Sequence, residues 1–157
     1  MVVIKRLFIL SILLLSVIFS ACVTTTNATM SREDEKRIGA EEHPKLIKEF
    51  GGTYTDTKLS DYIKRIGLNL TRHTDASDLA YTFTILNTDK VNAASLPGGY
   101  VYITRGLLAL ADNEAEVAGV LAHEIAHITA RHTAQAYETR LTAKANEKGE
   151  KAECNKR

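Results

Sequence analysis

The chain has 157 residues, 45% of them hydrophobic and 25% charged, with a formal net charge of +1. That length holds one modest domain, and the composition excludes a chain disordered throughout. The near-zero charge excludes the basic footprint of a nucleic-acid binder.

Lys5 and Arg6 precede an apolar run over residues 7–19, which is too short to span a bilayer comfortably and reads as a secretion signal. The run ends in Phe19-Ser20-Ala21-Cys22, which resembles the lipobox of bacterial lipoproteins, with phenylalanine where leucine is usual. The resemblance implies a lipid on Cys22 and, because Val23 rather than aspartate follows, an outer-membrane anchor facing the periplasm. An ordinary signal peptide cleaved near Ala21 with an incidental cysteine is the alternative. Without Lys5 and Arg6 the 20 basic residues fall to 18 against 19 acidic ones, a formal charge of −1. Cys154 is then left without an intramolecular partner, so no structural disulfide is expected.

Residues 24–29 are polar and threonine-rich and read as a tether. A helix is expected from Ser31, which stands in capping register with Asp34 ahead of an acidic first turn; Pro44 is expected to kink or divide it, and Gly51-Gly52 to end it. A second helix carries Leu59, Tyr62, Ile63, Ile66 and Leu70 on one stripe. His43 and His73 lie in these flanks as solvated or capping residues and take no assigned role. From Leu79 the period changes to two, with Tyr81, Phe83 and Ile85 alternating with Thr82 and Thr84. A weaker strand over residues 91–96, a Pro97-Gly98-Gly99 turn and a strand over residues 100–104 complete an expected β-meander or hairpin pair. Such a sheet could offer an edge to an extended peptide, or be purely structural.

The motif His123-Glu124-Ile125-Ala126-His127 follows, on a helix capped at Asp112 or Asn113, with Asn113 and Glu116 in capping-box register. Four residues apart, His123 and His127 project about 40° apart around a helix and roughly 6 Å along it, which allows both to grip one ion. Glu124 beside them can serve as a base, the arrangement of a zinc peptidase. The flanking Leu121, Ala122, Ile125 and Ile128 would make an unpartnered carboxylate costly, and a metal relieves that cost. This helix is expected to run to about Ala136 or beyond. On it, His132 would lie about 140° from His127 and about 180° from His123, unable to meet the same ion. The metzincin pattern also fails, since it needs glycine at Ala130 and histidine at Thr133.

The segments Gly39-Ala40-Glu41-Glu42-His43-Pro44, Tyr62-Ile63-Lys64-Arg65-Ile66-Gly67, Asn92-Ala93-Ala94-Ser95-Leu96-Pro97-Gly98-Gly99 and Val120-Leu121-Ala122-His123-Glu124-Ile125-Ala126-His127 together resemble a zinc metallopeptidase family. It is the gluzincin-like family of the periplasmic beta-barrel assembly-enhancing protease, related to the CAAX prenyl proteases. The resemblance covers roughly residues 32–132. It implies an α+β, zincin-like metallopeptidase domain with a small antiparallel sheet and a central H-E-x-x-H helix. One zinc ion would be held by His123 and His127, with Glu124 as general base. The implied activity is a zinc-dependent endopeptidase of the bacterial cell envelope acting on misfolded or stalled envelope proteins.

The family takes its third zinc ligand, a glutamate, from a helix well downstream of the motif. Here residues 135–157 hold Glu138, Glu147, Glu150 and Glu153 but few apolar residues after Leu141, and none is assigned as that ligand. The third ligand is unknown, and the chain reads as the N-terminal part of a peptidase domain. The expected organisation is a signal peptide over residues 1–21, a tether over 22–31, a peptidase domain incomplete at its C-terminal side over 32–136, and a polar tail over 137–157. The alternatives are a non-catalytic periplasmic lipoprotein that binds envelope proteins, or an inactive gene fragment.

Overall fold

A computed structural model describes the backbone of residues 30–154 and the side chains through residue 147. The signal, Cys22 and most of the tether lie outside the described residues. Helix α1 spans Arg32–Glu49. Ser31 caps it by accepting from the Asp34 amide at 3.1 Å, and three acidic residues occupy its first turn. The expected division at Pro44 does not occur. A proline removes only the one hydrogen bond to the Ala40 carbonyl, and packing along the rest of the helix keeps it continuous. Gly39 shows how close that packing is: a Cβ there would stand 2.1 Å from the Pro97 carbonyl oxygen and 2.7 Å from the Tyr100 ring.

Helix α2 spans Thr57–Thr71, capped by Asp56. Its expected stripe is the observed one: Ile63 and Ile66 are buried in the main core, with Leu59, Tyr62 and Leu70 packed against it.

The sheet has three strands, β1 (Thr82–Leu86), β2 (Ala93–Leu96) and β3 (Tyr100–Thr104), in the order β1-β3-β2. The hairpin β2-β3 is antiparallel as expected, but β1 and β3 run parallel, so the sheet is mixed and the expected wholly antiparallel sheet or meander is corrected. The chain leaving β1 travels to the outer edge, makes β2 there, and returns through Pro97-Gly98-Gly99 to lay β3 between the two. The central position of β3 buries Val101 to Thr104, which pays the closure cost of a non-local pairing. The turn needs its glycines, since Gly98 and Gly99 have φ of 82° and 100°.

A short helix α3 (Arg105–Leu108) leads to α4 (Glu114–Thr129) and α5 (His132–Cys154). Ile63, Ile85, Val101, Ile103, Leu121 and Ile125 join α2, the sheet and α4 in one core. No described helix is long and apolar enough to cross a membrane.

On the other face of the sheet Tyr102 is fully buried, and its hydroxyl lies 2.7 Å from His43 Nδ1 on α1. Burial raises the Tyr102 phenol far above its ordinary value, so it stays protonated and donates to a neutral His43. Burial also holds the His43 imidazole below its usual 6.5. The unfolded chain therefore takes up a proton at higher pH than the folded one. Stability present above about pH 6.5 is lost as pH falls toward the folded value. The thermal midpoint is expected to drop between pH 7 and pH 5, and to drop less in His43→Gln. Equal slopes in the two proteins would remove His43 as the cause.

Candidate metal and base centre

Helix α4 buries Val117, Leu121, Glu124, Ile125 and Ile128, a single stripe at helical spacing. Glu124 thus occupies a core position, 9% exposed, while His123 on the next radial position is exposed and His127 half-buried. Asn113 caps the helix by accepting from the Glu116 amide at 3.1 Å, and Glu116 accepts in return from Asn113 Nδ2 and the Asp112 amide.

A carboxylate on a core stripe needs partners. Ser95 of β2 supplies one, its Oγ donating to Glu124 Oε2 at 2.8 Å. Ser95 stands opposite Val101, so it shares the face of the sheet that packs on α4, whereas Leu96 and Ala94 oppose Tyr100 and Tyr102. The motif alone gives no sign of this contact; the available signal is one hydroxyl inside an otherwise apolar strand.

His123 Nε2 and His127 Nε2 lie 3.1 Å apart, with the rings perpendicular and their centroids 4.6 Å apart. Two nitrogen ligands of one tetrahedral ion, each about 2.0–2.1 Å from it, would stand about 3.4 Å apart, so this pair fits a zinc ion with little adjustment. Among the described residues no group of three or more His, Cys, Asp or Glu side chains forms around such a point.

The motif helix does not continue to Ala136. It ends at Thr129 with Ala130 as its cap, and Arg131 takes a left-handed φ of 60° before α5 begins at His132. No glycine marks this break, which is why the periodicity runs through it. Arg131 holds the corner instead: its Nε donates to Glu35 Oε1 at 2.8 Å and its guanidinium also reaches the Met30 carbonyl. Glu35 is 1% exposed, and its other oxygen accepts from Arg32 at 3.2 Å. The turn overturns the expected placement of His132 on the far side of the helix. His132 Nδ1 lies 3.2 Å from His127 Nδ1.

Helix α5 then closes one side of a cleft of about 330 Å³, lined by Ser95, Leu96, Glu124, His127, His132 and Tyr137 among others. Tyr137 donates to Glu42 on α1 at 3.1 Å, tying α5 down. A hydrogen bond from Lys45, assisted by that from Tyr137, holds the Glu42 carboxyl below the usual range. A larger groove of about 530 Å³ beside Lys64, Arg65 and Arg72 holds no comparable chemistry. The other long edge of β2 has no strand partner among the described residues.

Residues 57–146 match peptidase family M48. The beta-barrel assembly-enhancing protease of Escherichia coli K12 is 32% identical over 115 residues, covering 73% of this chain and 23% of that protein. Its counterpart in Yersinia pestis is 34% identical over 115 residues, covering 73% and 24%. The mitochondrial metalloendopeptidase OMA1 of Schizosaccharomyces pombe is 33% identical over 110 residues, covering 68% and 32%. The chain therefore spans between about a quarter and a third of the length of these relatives.

Proposed function

The chain belongs to peptidase family M48, and on that premise we propose that it is a zinc-dependent metalloendopeptidase of the bacterial cell envelope. The observation that carries this reading is the buried Glu124 carboxylate, held by Ser95 beside the converging Nε2 atoms of His123 and His127. His123 and His127 would hold the ion. Bound zinc supplies Lewis acidity that polarises the scissile carbonyl.

The chain's own groups do the rest. Ser95 Oγ–H occupies Glu124 Oε2 and sets the plane of the carboxylate. The other oxygen takes the proton of the attacking water and returns it to the leaving amine as the C–N bond breaks. The edge of β2 that lacks a strand partner among the described residues runs beside the cleft, and an extended peptide adding there as a strand would present its backbone to Glu124.

Envelope proteins that are misfolded or stalled are the proposed substrates; the names of the bacterial relatives support a role near β-barrel assembly. The apolar run ending at Cys22 supports export and a lipid anchor on that cysteine, which would hold the cleft on the periplasmic side of the outer membrane.

The test uses the full chain recovered from cells. Recovery in the membrane fraction is expected, and recovery only in the soluble fraction would sink the anchor. An unfolded outer-membrane β-barrel protein is expected to be cleaved with zinc present, to be spared with a chelator, and to be cleaved again on adding zinc back. A zinc-loaded chain that binds this substrate without cutting it would overturn the endopeptidase reading.

A further inference from the structure

We propose that His132 is a positioning residue for the metal centre, accepting a hydrogen bond from His127 Nδ1–H and so holding His127 with Nε2 turned toward the ion. This rests on the zinc reading above and concerns a residue outside the H-E-x-x-H motif.

A neutral imidazole has one protonated and one bare nitrogen. The Nε2 atoms of His123 and His127 face each other at 3.1 Å, so Nε2 is the ligating atom of His127 and its proton must sit on Nδ1. A protonated Nδ1 needs an acceptor to fix both tautomer and ring orientation, and such outer partners are general among metal-binding histidines. The atom facing it at 3.2 Å is His132 Nδ1. His132 then accepts at Nδ1 and carries its own proton on Nε2.

Direct ligation by His132 does not fit. It meets His127 at Nδ1, away from the Nε2 pair, so His132 would have to move before an ion held by that pair could touch it. The position of His132 is itself built. The left-handed Arg131 turns α5 out of the line of α4, and the pairing of Arg131 with the buried Glu35 holds that turn.

The test compares zinc affinity of the full chain with that of His132→Phe and His132→Asn, by competition with a chromophoric chelator. The cobalt-substituted visible spectrum is recorded alongside. Phenylalanine keeps a ring and has no acceptor, whereas asparagine places Oδ1 where His132 has Nδ1. His132 is exposed, so neither change removes core packing. His132→Phe is expected to bind zinc about tenfold more weakly with an altered cobalt spectrum, the metal-free thermal midpoint staying that of wild type. His132→Asn is expected to stay within about twofold to threefold of wild type, the retained acceptor standing in for His132. Wild-type affinity in His132→Phe would overturn the proposal. So would an equal loss in both variants, which would mean that the imidazole itself ligates. If the unmutated chain binds no zinc and His123→Ala changes nothing, the zinc reading has failed and this inference falls with it.

Discussion

Glu124→Gln is expected to lower the rate of peptide cleavage by about a thousandfold while zinc stays bound. Glutamine has nearly the same shape, and its carbonyl oxygen can accept from Ser95 Oγ as Glu124 Oε2 does at 2.8 Å. What it cannot do is take a proton from water, and a positioned general base contributes about 10² to 10⁴ in rate. Stability should change little or rise, because the substitution places a neutral amide at a position 9% exposed. The measurement is kcat on an unfolded protein substrate together with zinc content. Cleavage that persists in a zinc-loaded Glu124→Gln chain would remove Glu124 from the chemistry.

Arg131→Met is expected to cost about 3 kcal/mol of folding stability, the range found when one partner of a buried ion pair is removed. Glu35, 1% exposed, would be left with Arg32 alone. Against a total stability of about 5–15 kcal/mol this is a large fraction. Arg131→Gly separates two contributions at that position. It loses the same pairing, but glycine adopts the φ of 60° freely, so it should be about 1–2 kcal/mol less damaging than methionine. Replacing Glu35 and Arg131 together by apolar residues should recover much of the loss. Denaturant unfolding of the four proteins checks this series. Wild-type stability in Arg131→Met would show that Glu35 does not depend on it.

The two substitutions act on different layers of one construction. Glu124 is held by β2, whose Ser95 donates to its carboxylate. Arg131 is prepared by α1, whose first turn supplies Glu35. Damage at Arg131 is therefore expected to reach the cleft through the position of His132, without touching His123 or Glu124.

The sequence by itself determined whatever is decided within a few residues. The cap pairs at Ser31 and Asn113, the apolar stripe of α2, the β runs and the Pro97-Gly98-Gly99 turn are local matters of hydrogen bonding and periodicity, and they stand in the fold as read. The placement of His123 and His127 on one side of a helix is equally local, being a consequence of helical pitch.

Tertiary structure decided the rest. Whether β3 pairs with β1 in parallel depends on where the chain returns after β2, which no residue in β1 encodes. Continuing α4 through Ala130 and Arg131 satisfies every local preference, since neither is glycine or proline. At the break the left-handed Arg131 pairs with the buried carboxylate of Glu35, 96 positions away, a partner that no local preference registers. Ser95 meets Glu124 across 29 positions for the same kind of reason. Periodicity sees one helix at a time, whereas a buried charge selects the backbone path that brings it a partner, and that selection turned His132 from the far side of a helix to the back of His127.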